Sequence, residues 1–227
     1  MVDVRKKVEE ITPEITQMRV HIHENPELSM KEYNTCALLE DYVKKNVKYD
    51  RLKRVGETGL FFELKGTKPG NGPTIVFRGD IDALPIQEDE HMSPRSKVPG
   101  VMHACGHDVH GTINVGAAKI LSEMKDQFSG SIYFFIQPAE EILQGAKLFL
   151  NDPEIDFDKI DAVAALHVSA ELDAGTIGVR YGAILASADG IRIRINGKGG
   201  HGAHCHTLRD PIVASAAVIN ALQTLVS

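Results

Sequence analysis

Apolar residues recur along this chain with two different periods. From residue 2 to 24, Ile11, Ile15, Met18 and Ile22 return at three- and four-residue intervals, the spacing of one helix face. Pro13 behind Thr12 fits a helix start, which leaves the turn ahead of it open, and Asn25-Pro26 ends the helix. A second helix is predicted over about 30–46, with Tyr33, Ala37, Leu38 and Tyr42 spaced along it. Short apolar runs then read as strands at 59–65 (GLFFELK), 74–79 (TIVFRG), 131–137 (SIYFFIQ), 161–168 (DAVAALHV) and 175–181 (GTIGVRY). Helices are predicted over 108–125 and from near Glu141, and the Pro-rich, charged stretch 87–102 reads as an irregular loop. Strands alternating with helices imply an α/β layered domain.

The pattern changes after about residue 183. Ile191, Ile193 and Ile195 alternate with Arg192 and Arg194, as in a strand buried on one side. A glycine-rich turn and an Ala/Val/Ile/Leu helix from about 209 follow. Residues 1–183 are therefore expected to form one domain, and 184–227 the beginning of a second. One strand and one helix are too little for an independent core.

Composition narrows the class. With 43% hydrophobic and 25% charged residues, the chain has the balance of a globular protein. It has no apolar run long enough to cross a membrane, and its charged N-terminus lacks the apolar centre of a signal peptide. A cytoplasmic protein is expected. Acidic residues outnumber basic ones 31 to 25, and no Lys/Arg cluster suggests nucleic-acid binding. Three cysteines, Cys36, Cys105 and Cys205, do not make a disulfide framework. Six of the 10 histidines fall in two short windows, at 103–110 and 201–206.

The strand ends gather the polar residues. In an open α/β sheet, ligands collect at the carboxyl ends of strands. Strand 74–79 leads to Asp80 and Asp82, strand 131–137 to Glu140 and Glu141, and strand 161–166 to His167. The loop before helix 108–125 carries His103, Cys105, His107 and Asp108. Thiolate, imidazole and carboxylate together suit a divalent transition metal. Of two adjacent glutamates, one can bind metal while the other takes a proton from bound water, whose pKa a metal lowers to roughly 7. Taken singly, each piece has a plainer reading: turn-forming aspartates before Pro85, a core histidine, acids at a helix start. The segment HACGHDVH is too dense in ligand types for that. GKGGHG at 197–202 matches GxGxxG, but it lacks the βαβ context that phosphate binding requires.

RGDIDALPI (78–86), PGVMHACGHDVH (99–110), QPAEE (137–141), LHV (166–168) and GKGGHGAHCH (197–206) resemble, in order, the motifs of the M20 peptidase family in its aminoacylase/amidohydrolase branch. HENPELS (23–29) and DPIVASAAVINALQ (210–223) are similar to the same branch. The resemblance implies an α/β metal-dependent hydrolase domain of zinc-exopeptidase type, with a mixed, mostly parallel sheet flanked by helices. It also implies the start of an α+β dimerisation, or lid, domain at 184–227. It assigns Cys105, His107, Glu141 and His167 as metal ligands, Glu140 as general base, Asp82 as the residue orienting a metal-site group, and His201 as a contact to the substrate carbonyl. Two divalent ions are implied, zinc or manganese first, cobalt or nickel as alternatives. The implied substrate is an N-acyl amino acid or related small amide, and the full-length form is expected to be a homodimer.

Members of the family carry one more metal-binding histidine beyond the point where this sequence stops, and Cys205 stands where the branch commonly has proline. The expectation is therefore a C-terminally truncated chain that has little amidase activity alone and holds one of its two metals weakly. The alternatives are an inactive metal-binding or dimerising fragment, or a hydrolase using Cys105 as nucleophile with His107 or His110 as base.

Overall fold

The computed structural model describes residues 3–184 and 190–225. They fall into two compact units, 1–171 and 172–227, a division ahead of the change in sequence pattern near residue 184.

The first unit begins with helix α1 (Val4–Glu24), whose first turn is capped by the Asp3 carboxylate accepting from Lys6 N–H at 3.2 Å. The helix runs through Pro13 without a break, so the proline does not mark its start. Helix α2 (Tyr33–Asn46) follows, then strand β1 (Arg51–Val55), a strand the sequence pattern did not show because its polar residues cover a half-exposed face. Strands β2 (Gly59–Lys65) and β3 (Thr74–Asp80), helix α3 (His107–Ser122), strand β4 (Ser131–Gln137), the short helix α4 (Gly145–Leu150) and strand β5 (Ala162–Ala165) complete it. Two expected boundaries shift. The helix expected from Glu141 starts at Gly145, and the last strand ends at Ala165, so that Glu140, Glu141 and His167 all lie in loops.

The sheet order is β1-β2-β4-β3-β5. β3, β4 and β5 run parallel, while β1–β2 and β2–β4 pair antiparallel. Side chains of one strand point alternately to opposite faces, and that periodicity divides the core. Leu60, Phe62, Leu64, Ile132, Phe134 and Ile136 join Leu39, Val43 and Val115 from α2 and α3 in one cluster. Phe61, Tyr133 and Phe135 join Val55 and Phe149 in the other. Register fixes the match: Phe62 pairs with Phe134, and their rings stack with centroids 4.7 Å apart. The parallel trio brings the carboxyl ends of β3, β4 and β5 to one edge.

The second unit contains helix α5 (Pro211–Gln223), capped by Asp210, whose carboxylate accepts from Ile212 N–H at 2.8 Å. The strands expected at 175–181 and 191–196 are not formed. Ile177, Val179 and Tyr181 are exposed, and among the described residues the isolated bridge Lys198–Arg209 is the only β-pairing in this unit. An apolar alternation supplies a strand's face but not the partner that its backbone needs. Among the described residues, no helix is long and apolar enough to cross a membrane.

Candidate metal centre

Three loops and one helix start deliver the candidate residues. β3 ends at Asp80, and Asp82 follows two residues later; both are buried. Gly106 stands at φ +90°, the left-handed turn that lets Cys105 and His107 flank the entry to α3. A Cβ on Gly106 would lie 2.3 Å from Val168 Cγ2, so the loop after β5 packs closely on this turn. After β4 the chain turns at Pro138-Ala139, with Ala139 at φ +50°, and presents Glu140 and Glu141. The turn is braced by Glu32, fully buried, whose Oε1 accepts from Ala139 N–H at 2.8 Å and Met30 N–H at 3.0 Å.

The side chains converge. Cys105 Sγ lies 3.3 Å from His167 Nε2. His107 Nε2 is 3.8 Å from Glu141 Oε1, 3.9 Å from Glu140 Oε2 and 3.6 Å from Asp80 Oδ2. Ligand atoms of Cys105, His107 and His167 lie within 4.8 Å of one another, and so do those of His107, Glu140 and Glu141, with His107 common to both sets. A third set within that distance is Asp80, His107 and His110.

Hydrogen bonding orients this cluster. Asp82 Oδ1 accepts from His107 Nδ1–H at 3.1 Å, and Asp82 Oδ2 accepts from Ser29 Oγ at 2.6 Å and Glu141 N–H at 3.1 Å. A carboxylate can only accept, so neutral His107 carries its proton on Nδ1 and turns its Nε2 lone pair to the cluster. That Nε2 and Glu141 Oε1 are both buried without a hydrogen-bond partner among the described residues. Two orphaned buried acceptors 3.8 Å apart, next to a thiol and a second imidazole, fit a cation bound between them.

Electrostatics supports the same fit. Burial pushes the Cys105 thiol up to about 11, and Glu141, Asp80 and Glu140 add to the effect. Burial also raises Glu141, helped by Glu140 and Asp82. For Asp80, the upward push of burial is outweighed by the His110 hydrogen bond and the Arg78 charge, and its carboxyl stays below the usual range. Burial would lower His107, but Asp82 and Asp80 outweigh it and raise the imidazole. This is a negative, partly dry site whose thiol stays protonated without added positive charge.

His201, in the second unit, is exposed and precedes a 3-10 turn, Gly202–Thr207, with its Nδ1 accepting from Ala203 N–H at 3.2 Å. Sequence reasoning missed several partners of the centre. Glu32 was not singled out, and neither were His23 and Glu88, which join Asp108 in a buried group beside α3. There His23 bridges Asp108 Oδ2 and Glu88 Oε1, both at 2.9 Å. His103 packs near by with its ring centroid 6.4 Å from that of His23, held down to about 4 by burial.

Comparison with known proteins gives a consistent picture. Residues 76–226 match the family described as Peptidase family M20/M25/M40. The N-acyl-L-amino acid amidohydrolase of Geobacillus stearothermophilus is 38% identical over 99% of this chain and 60% of its own length. The N-acetyl-L-cysteine deacetylase of Bacillus subtilis is 40% identical over 92% of this chain and 49% of its own. Among solved structures, the Bacillus subtilis YXEP protein, described as a dinuclear metal binding peptidase from the M20 family, superposes with a TM-score of 0.69 at 36% identity. That match covers 76% of this chain and 47% of that one. The chain thus spans about half the length of the relatives it matches.

Proposed function

This chain belongs to peptidase family M20/M25/M40, and from that premise we propose that it is the metal-binding part of a hydrolase cleaving the amide bond of N-acyl amino acids. The observation that carries the reading is the pair of orphaned buried acceptors, His107 Nε2 and Glu141 Oε1, with His107 common to the donor sets that hold Cys105 and His167 on one side and Glu140 and Glu141 on the other. Cys105, His107, Glu141 and His167 would hold two divalent ions, zinc or manganese in the first instance. Bound there, the ions would supply Lewis acidity, lowering the pKa of water and polarising the amide carbonyl.

The chain's own residues do the rest. Asp82 fixes the His107 tautomer through the Nδ1–H bond at 3.1 Å. Glu140 is the general base: its side chain is 35% exposed against 19% for Glu141, so it is the one of the pair that can exchange a proton with water and pass it to the leaving amine. With Nδ1 accepting from Ala203, neutral His201 carries its proton on Nε2, a donor suited to a substrate carbonyl oxygen. We assign residues 184–227 to the start of a dimerisation or lid domain, and the full-length protein to a homodimer. The amidohydrolase and deacetylase names of the relatives support the acyl-amide substrate class.

A cysteine-nucleophile mechanism is disfavoured by the Cys105 thiol, which at about 11 is protonated at neutral pH. The test is hydrolysis of a panel of N-acyl amino acids, with metal content measured in parallel. Activity should vanish on chelation and return with zinc or manganese. Turnover that survives removal of the metal would sink the reading.

A further inference from the structure

Behind the donor cluster runs a second chain of contacts that no role above absorbs. Arg78 Nη1 donates to Asp80 Oδ2 at 2.6 Å, and Asp80 Oδ1 lies 2.6 Å from His110 Nδ1. On the other side of the ring, His110 Nε2 lies 3.0 Å from Val168 N. Both Asp80 and His110 are buried. A backbone N–H can only donate, so His110 Nε2 must accept. A carboxylate can only accept, so His110 Nδ1 must carry the proton. Both contacts select the same tautomer.

Val168 is the hub beyond it. Its carbonyl oxygen lies 2.6 Å from His167 Nδ1, so His167 donates there and keeps the Nε2 lone pair toward Cys105, 3.3 Å away. The rings of His110 and His167 meet edge to face with centroids 4.5 Å apart. β5 ends at Ala165, so no ladder hydrogen bond holds residues 167 and 168. The hydrogen bond from Val168 N–H to His110 substitutes for it.

We propose that Asp80 and His110 form a positioning pair that sets the direction of His167: Asp80 fixes the His110 tautomer, and His110 anchors the backbone of Val168 through its N–H, holding in place the residue whose carbonyl oxygen orients the His167 ring. Neither residue needs to touch the metal for this. The proposal deepens the hydrolase reading and rests on it only for the metal-affinity part of its test.

Asp80→Asn separates the pair's geometry from its bulk. The Arg78 guanidinium demands an acceptor, so the new amide turns its oxygen toward Arg78 and its NH2 toward His110 Nδ1. The ring then moves its proton to Nε2, where it opposes the Val168 N–H. Long-range nitrogen–proton spectra of the metal-free full chain read this directly. His110 should be the Nδ1–H tautomer in the wild type and the Nε2–H tautomer in Asp80→Asn, with the Val168 amide losing protection from exchange. Affinity for zinc should fall about 10–100-fold, the usual consequence of losing a partner behind a ligand. His110→Ala should show a similar loss, and adding Asp80→Asn to it should cost little more, because the two act through one contact. An Nε2–H tautomer in the wild type, unchanged zinc affinity after the tautomer reverses, or losses that simply add would each overturn the pair. A wild-type chain that binds no zinc sinks the hydrolase reading instead. The pair is then decided by the tautomer and the Val168 exchange alone: reversal with lost protection upholds it, and absence of either overturns it.

Discussion

Glu32 offers the sharpest test of how the fold supports the centre. It is fully buried, more than a hundred residues in sequence from the turn it braces, and its Oε1 accepts two backbone N–H groups, from Met30 at 3.0 Å and Ala139 at 2.8 Å. Glu32→Ala leaves the Ala139 N–H buried without a partner, while the N–H of exposed Met30 can turn to water. At about 1–3 kcal/mol for the one unsatisfied group, the loss is about 1–3 kcal/mol, before any term for the cavity. Glu32→Gln keeps an acceptor oxygen of the same reach, so its cost should stay under about 1 kcal/mol. Burial raises the Glu32 carboxyl above its usual value, against the hydrogen bonds that lower it. The folded chain therefore holds this proton more tightly than the unfolded one. Its contribution to stability is full below the unfolded value of 4.5 and is lost as pH rises through the raised folded value. Glutamine cannot ionise, so Glu32→Gln should gain on the wild type across that window. Urea unfolding of the three proteins at pH 4 and pH 7 measures all of this. If Glu32→Gln unfolds as readily as Glu32→Ala at both pH values, the negative charge and not the acceptor geometry holds the Ala139 turn, and the reasoning fails.

Further outcomes follow from the centre and the group beneath it. Glu140→Gln should keep metal uptake and slow hydrolysis of N-acyl amino acids by about 10²–10⁴-fold, since the amide cannot accept a proton; a near wild-type rate would move the base role to another group, Asp82 first. Alkylation of the metal-free chain at pH 8, followed by peptide mass spectrometry, should modify exposed Cys205 well before Cys105, whose thiol sits at about 11; the reverse order would remove the electrostatic argument for a ligand cysteine. The hydrogen bond to Asp108 raises His23 above its usual 6.5, with Glu88 adding to it and burial opposing it. Its contribution to stability is full below 6.5 and is lost as pH rises through the raised folded value. The stability gap between wild type and His23→Gln should therefore narrow from pH 6 to pH 9, and a constant gap would show that His23 is not protonated in the fold.

Most of the donor cluster was legible because strand ends are legible. GLFFELK, TIVFRG and SIYFFIQ are dense enough in β-branched and aromatic residues to be placed within a residue or two; Asp82 follows the second, Glu140 and Glu141 the third, and His167 the strand over 162–165. The supporting residues were not legible, for a physical reason. Glu32 with Ala139, His23 with Asp108 and His110 with Asp80 are contacts between elements far apart in sequence, and no local pattern shows which residue meets which. The 175–181 and 191–196 segments failed differently. Their apolar alternation is real, but a strand exists only with a partner for its backbone, and none is supplied among the described residues.

The distribution of satisfied and unsatisfied atoms gives the site its meaning. Burying Asp80 and Asp82 beside a thiol and two more carboxyls would destabilise the fold unless each charge were compensated. Asp82 is compensated by Ser29, His107 and the Glu141 N–H, and Asp80 by Arg78 and His110. Asp80 and Asp82 are thus matched by protein groups, while in the same cluster His107 Nε2 and Glu141 Oε1 are left without partners and face one another with the Cys105 thiol near by. A structural ion-pair network would leave none at the centre. A cluster satisfied at its base and unsatisfied at its focus is what a fold retains when the last partner is a cation. Metal binding should then add to the stability of the first unit as well as to its chemistry.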